Sequence, residues 1–289
     1  MTLTDAFAAL RPKQWTKNAF VLVGTLFGHR WSSDEIGTAL LAFVVFCFAS
    51  SAVYVYNDWI DRDADRRHPT KRHRPIAAGR IGGPGAAVIG LACAGVAYLL
   101  AATLGPTMVF LVSAYIGLNV AYAVWLKHVV IADVFAIAGG FQLRLFAGTL
   151  GLGIPPSQWL LLCGFALTLL LALGKRRGEL LAEGQGEETR RVLGYYSESM
   201  LDQLLAVCAT LVLAAYGLYT ISPDTAAEHG AIDLPYTIPI VTYGVFRYLF
   251  ILRNPRVAGD GDPSRVLFAD RQLQLTALVW LGAVVWIMR

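Results

Sequence analysis

The residues with the most chemical potential lie in one stretch, Tyr54-Val-Tyr-Asn57-Asp58-Trp-Ile-Asp61-Arg-Asp63-Ala-Asp65. If the apolar run before them continues as helix past Tyr56, residues three and four apart share a face. Tyr54, Asn57 or Asp58, Asp61 and Asp65 then form one polar stripe, while Asp63 leaves it to pair with a neighbouring arginine. Three carboxylates on one stripe repel each other unless a cation joins them. Oxygen ligands at a helix end suit Mg²⁺, which takes one or two carboxylates and completes its shell with substrate phosphates and water. The competing reading is a solvated loop of mixed charge. Arg66-Arg-His-Pro-Thr-Lys71-Arg-His-Arg74-Pro follows directly, and such basic runs are often topology signals. Polar groups at membrane depth are functional by default, which favours a metal-dependent anion site.

Other charges reach the same depth. Lys127 ends a fourth apolar run, and Asp133 and Arg144 lie in the fifth. An arginine there costs about 2.5–3.5 kcal/mol on insertion scales. Asp133 lies about three helical turns away, too far for a pair within one helix, so Arg144 is expected to bind an anion. The sixth run ends in Gly174-Lys175-Arg176-Arg177-Gly-Glu179. Lys175 is the first charge after it and is expected to reach inward, whereas Arg176 and Arg177 serve equally well as topology signals. Near the start, Arg11-Pro-Lys13-Gln-Trp15-Thr-Lys17-Asn18 mixes basic residues with a tryptophan. The bland reading is an amphipathic anchor on the headgroups; Lys17, which begins the first span, is the best cavity candidate of its three cations. The histidines and cysteines show no metal-ligand spacing, and the cysteines sit in apolar stretches as small hydrophobic residues.

The elements that must position these groups are membrane helices. Of 289 residues, 56% are hydrophobic and only 15% charged, against about a quarter charged in soluble domains. Spans of roughly 17–25 mainly apolar residues fall near 16–30, 36–57, 84–104, 107–126, 130–150, 157–174, 203–222, 233–252 and 268–288. With the N-terminus cytoplasmic, 20 of the 24 lysines and arginines fall on the cytoplasmic side, and Arg30 and Arg289 fall opposite. The expectation is an all-α, multi-pass protein of the cell (inner) membrane. It is expected to form a single transmembrane domain over 1–289, with the N-terminus retained and cytoplasmic, and the polar loops 58–83 and 175–202 on the same side. An ion-coupled transporter would spread charges near the midplane, often in two related halves. Here they gather at one rim, and no internal repeat shows.

Asn57-Asp58-x-x-Asp61-x-x-x-Asp65 after a second membrane helix resembles the first Asp-rich motif of the UbiA prenyltransferase superfamily. The resemblance implies nine transmembrane helices around a central cavity and diphosphate binding through Mg²⁺. Ordinary members carry a second Asp-rich motif after the sixth helix, where this chain has Gly174-Lys175-Arg176-Arg177-Gly178-Glu179-Leu180. With Arg11 to Asn18, His68-Pro-Thr-Lys-Arg72, Arg74-Pro-Ile-Ala-Ala-Gly79 and Ser157-Gln158-Trp159, the chain is similar to one branch, the decaprenyl-phosphate phosphoribosyltransferases. That likeness implies transfer of phosphoribose from phosphoribosyl diphosphate to a polyprenyl phosphate, feeding arabinofuranose donors for the cell envelope. Three anionic groups in one site need fewer carboxylates and more cations, which agrees with one acid cluster and several inward-capable cations. Carried onto this chain, Asn57 and Asp61 hold Mg²⁺, while Asp58 and Asp65 shape the site or bind a second ion. Tyr54 and Lys17 contact the donor, Lys71 and Lys127 take phosphates, and Arg144 and Lys175 hold the acceptor phosphate. The lipid phosphate, already ionised, attacks without a strong base. The alternative is an ordinary prenyl transfer from a prenyl diphosphate to an aromatic acceptor. Expected partners are phosphoribosyl diphosphate, a polyprenyl phosphate lipid and the membrane, with no nucleic acid; a homo-oligomer is compatible with the sequence.

Overall fold

A computed structural model describes residues 2–28, 31–183, 191–222, 233–254 and 269–288. The topology markers Arg30, Arg190, Arg256, Arg265 and Arg289 lie outside these residues. Every regular element among the described residues is helical. The chain clusters into two compact units, Met1–Pro156 and Ser157–Arg289.

In the first unit, α1 (Leu3–Ala9) is followed by a 3-10 helix (Pro12–Leu22) and α2 (Val23–Phe27). The long α3 (Ser33–Ile60) comes next, then α4 (Arg62–Arg67), α5 (Gly83–Leu104), α6 (Pro106–Val124) and α7 (Ala132–Gly148). The second unit holds α8 (Gln158–Glu183), α9 (Glu198–Ile221), α10 (Ile238–Leu252) and α11 (Arg271–Ile287). Among the described residues, seven helical stretches are long and apolar enough to cross a membrane. Their outer faces carry exposed apolar residues such as Leu91, Leu99 and Phe110, the inverse of a water-facing surface.

Two of the nine expected spans depart from that description. The first is not one α-helix: Arg11 adopts a left-handed backbone (φ 54°) before Pro12, and the chain then winds as 3-10 helix and turns α-helical only at Val23. Close backbone approach accompanies side-chain packing on this segment, where Val21 joins the buried apolar cluster and Phe20 meets Phe141 with ring centroids 4.9 Å apart. A Cβ on Gly148 would lie 1.7 Å from the Val21 carbonyl oxygen, and one on Gly24 would lie 2.0 Å from that of Gly148. Small residues permit such approach where no water must be expelled to drive helices together. The last span is a 17-residue helix, shorter than the other seven. The sixth also differs, since α8 continues past Gly174 to Glu183. Glu179 lies three and four residues after Arg176 and Lys175 and pairs with both, which favours helix through the basic run.

The core of the first unit follows the same small-residue logic. Ala42 and Ala49 of α3 face Ala97 and Ala101 of α5 in one buried cluster, completed by Phe46 and Tyr115 with ring centroids 5.3 Å apart. A second cluster of Ala9, Val55, Ile76, Ile81 and Ala86 pins the loop after α4 against α3. That anchoring brings the basic loop to the end of the acid stripe.

Candidate active site

α3 begins at a capping box of Ser32 and Glu35, which satisfies two otherwise unpaired amides. It ends at Ile60; Asp61 leaves helical geometry (φ −89°, ψ 5°) and α4 starts at Arg62. The Asp65 amide still donates to the Asp61 carbonyl at 2.8 Å, so the helical spacing survives the break and the stripe persists.

Cations of the chain itself hold the stripe. Asp58, 3% exposed, pairs with Arg11 and accepts from Arg74 Nη1 at 3.1 Å. The same Arg74 nitrogen reaches Asp65 Oδ2 at 2.6 Å. Asp61 Oδ1 accepts from Lys127 Nζ at 2.6 Å, on the 3-10 turn (Leu126–His128) after α6. Lys127 is buried, whereas the Asp61 side chain stays 35% exposed. Asp63 is exposed and pairs with Arg66 at 3.0 Å. Burial lowers the Arg11 guanidinium from its ordinary value, outweighing the attraction of Asp58, and an arginine so shifted is still a cation at neutral pH. Its carbon lies 5.3 Å from the centre of the Tyr54 ring. The joining cations that the stripe requires are thus partly Arg11, Arg74 and Lys127. The sequence reading did not single out Arg11 and Arg74; their signal was the repulsion among carboxylates, which any nearby cation relieves.

The segment from Arg11 to Asn18 is a ruler along α3. Arg11 meets Asp58, Trp15 Nε1 donates to Ser51 Oγ at 3.1 Å, and Asn18 Nδ2 donates to Ser50 Oγ at 3.3 Å. Asn18 Oδ1 accepts from Arg144 Nε at 2.7 Å. Arg144, 5% exposed, also donates to the Gly140 carbonyl and the Tyr115 hydroxyl, both at 2.8 Å, and lies over the Tyr115 ring. These bonds brace α6, α7 and the 3-10 helix around Arg144, and the anion-ligand role expected for it remains a proposal. Lys17 is half-buried on that 3-10 helix, and Lys71 is half-buried in the loop after α4.

In the second unit the burial order reverses the expectation. Arg176 is fully buried and pairs with Glu179. Arg177, also buried, donates to Asp202 and to the Leu252 carbonyl, both at 2.6 Å. Lys175 is the more exposed of the three, 3.9 Å from Glu179.

Whether the stripe could hold a divalent ion is tested by its remaining oxygens. Asn57 Oδ1 is buried and accepts no hydrogen bond. A buried carbonyl oxygen without a donor costs about 1–3 kcal/mol, and a cation would satisfy it. One helical turn on, the half-exposed Asp61 carboxylate is bonded by Lys127 through Oδ1. An amide oxygen and one carboxylate, with the rest of the shell left to phosphate and water, match the small ligand demand of Mg²⁺. Among the described residues no three His, Cys, Asp or Glu side chains form a metal cage.

Comparison with known proteins places this site in context. The model of the UbiA prenyltransferase family matches residues 18–258. The chain is 36% identical over 290 residues to the decaprenyl-phosphate phosphoribosyltransferase of Corynebacterium glutamicum, covering 96% of this chain and 84% of that protein. The protein of the same name from Mycobacterium tuberculosis is also 36% identical, over 96% of this chain and 91% of its own length. Among solved structures, a UbiA homolog from Archaeoglobus fulgidus bound to GPP and Mg²⁺ superposes with a TM-score of 0.72 at 16% identity, covering 98% of this chain and 99% of the other.

Proposed function

The chain belongs to the UbiA prenyltransferase family, and from that premise we propose that it transfers 5-phosphoribose from phosphoribosyl diphosphate to a polyprenyl phosphate, releasing diphosphate. The observation that carries the reading is the 36% identity over 96% of the chain to proteins named for that activity. The local chemistry supports it. The acid cluster is already crossed by three cations of the chain, which suits substrates richer in phosphate than a prenyl diphosphate and an aromatic acceptor. The product would feed arabinofuranose donors of the cell envelope.

In this mechanism Asn57 and Asp61 would hold Mg²⁺. Bound there, the ion would neutralise charge developing on the leaving diphosphate. Asp58 and Asp65 do different work: held by Arg11 and Arg74, they fix the end of α3 and its loop so that Asn57 and Asp61 keep their spacing. Lys127 bonds Asp61 and is placed to hand that carboxylate over and take a phosphate instead. Lys17 and Tyr54 would contact the donor, Lys71 another phosphate, and Lys175 the acceptor phosphate. Fixed cations of this kind stabilise the transition state because they need no reorganisation as charge develops. The ionised lipid phosphate attacks C1 of an oxocarbenium-like ribose and needs no general base.

The finer architecture is part of the same proposal. Eleven residues of 3-10 helix and five of α2, at about 2.0 and 1.5 Å each, reach roughly 30 Å, the thickness of a hydrocarbon core. With α11 they would make nine crossings around a central cavity. The family match runs through both units, which supports one functional domain. The basic loops would face the cytoplasm of an inner-membrane protein.

The deciding assay uses purified protein, Mg²⁺ and labelled phosphoribosyl diphosphate with a panel of polyprenyl phosphates, against prenyl diphosphates with 4-hydroxybenzoate. Label should pass to the polyprenyl phosphate and depend on Mg²⁺. Product only in the aromatic arm would replace this reading with prenyl transfer.

A further inference from the structure

A cleft of about 430 Å³ lies wholly within the second unit, between the end of α8, the start of α9 and the end of α10. Its volume is in the range of small-molecule sites. The polar end is built from Arg177, Asp202, Arg253 and Asn254; the apolar wall includes Phe246 and Phe250. Arg177 is fixed by its bonds to Asp202 and the Leu252 carbonyl. Arg253 touches the same Asp202 only at 3.6 Å, with a side chain 66% exposed. Two arginines therefore share one carboxylate, and the described lining of the cleft carries a net positive charge. Phe246 and Phe250 are 61% and 57% exposed on α10, part of a stretch apolar enough to cross a membrane. A cation at the end of a span beside an apolar wall matches a molecule with a phosphate head and a hydrocarbon tail.

We propose that this cleft binds an anionic phospholipid, with its phosphate against Arg253 and its acyl chain along Phe246 and Phe250. Basic pockets between membrane helices take acidic headgroups in this way. The simpler possibility, an arginine that only marks the membrane surface, would show no dependence on the cleft around it. The inference does not rest on the transferase reading, since all of its residues lie outside the acid cluster.

The test is native mass spectrometry of the purified full-length chain titrated with phosphatidylglycerol or phosphatidylcholine. Wild type should retain phosphatidylglycerol in preference to phosphatidylcholine. Asn254→Asp, which adds a negative charge without touching the Arg177–Asp202 pair, should weaken that preference about fivefold, the factor for one surface charge. Arg253→Glu should abolish it. Both variants should elute from size exclusion as wild type does, because Arg253 is exposed and Asn254 half-exposed. Equal retention of the two lipids by wild type, or an unchanged preference in both variants, would overturn the proposal. So would displacement of phosphatidylglycerol by a polyprenyl phosphate together with a raised KM for that acceptor in Arg253→Glu, which would make the cleft part of the acceptor site.

Discussion

Asp61 and Asp63 stand two residues apart and are held by different partners, Lys127 within the site and Arg66 at the surface. Asp61→Asn should abolish turnover with the protein still folded in detergent, while Asp63→Asn should do little, because an exposed pair contributes at most about 1 kcal/mol. Comparable loss of activity in both would sink the single-face site. Asp58 and Asp65 predict a different phenotype. Asp58→Asn leaves Arg11 and part of Arg74 without compensation, at a cost of about 3 kcal/mol, the lower end for a buried pair because both arginines keep some solvent contact. Thermal unfolding in detergent should register it as a lowered midpoint. An unchanged midpoint with lost turnover would return Asp58 to the metal. Lys175→Ala should mainly weaken use of the polyprenyl phosphate, roughly ten- to a hundredfold in kcat/KM, with the donor KM changed less. Equal effects on both substrates would remove Lys175 from the acceptor side.

The 3-10 helix and α7 are joined by one buried network, from Ser50 and Asn18 through Arg144 to Tyr115. Arg144→Ala strands Asn18 Oδ1 and the Tyr115 hydroxyl in an apolar core, at roughly 2–6 kcal/mol for two unsatisfied groups. Arg144→Lys should rescue little, since an ammonium cannot reproduce the planar fork. Both should melt early. A variant that kept wild-type stability and lost only acceptor kinetics would make Arg144 an anion ligand, as its place in an apolar span suggests. At the start of the chain, Asp5 bonds the Thr2 hydroxyl and, at 2.7 Å, Arg80. These bonds hold its carboxyl below the ordinary value, the Thr2 hydroxyl more than Arg80. A depressed carboxyl stabilises the folded form above its unfolded pKa, and that contribution disappears as pH falls through the lowered value. Amide exchange over residues 3–9 should therefore be more protected at pH 6 than at pH 3, relative to an Asp5→Asn variant. The same protection difference in both proteins would detach α1 from that contact.

For the molecule as a whole, α5 runs between Gly79 and Gly105, so reporters inserted at these points should report opposite sides, with the one at Gly79 cytoplasmic if the basic loops face inward. The same side for both would break the alternation. How far the chain could be read in advance varies with the physics. Long apolar runs fixed the membrane class and most helices, because spanning lipid demands length and hydrophobicity that nothing else in a sequence imitates. The spacing of Asn57, Asp58, Asp61 and Asp65 located the acid stripe, because helical periodicity is local, and the resemblance of that motif to a known one pointed to the family. Tertiary structure alone decided who neutralises that stripe. Arg74 reaches Asp58 and Asp65 only because Ile76 and Ile81 pin its loop, and Lys127 meets Asp61 from 66 residues away. It also decided that the segment after Arg11 winds as a 3-10 helix, since its path is set by the Gly24 and Gly148 backbones. Arg176 and Arg177 looked like topology signals because their partners, one turn on and on another helix, count only once packing has removed water. Charge patterns announce where cations gather; burial, which depends on distant chain, decides what each one holds.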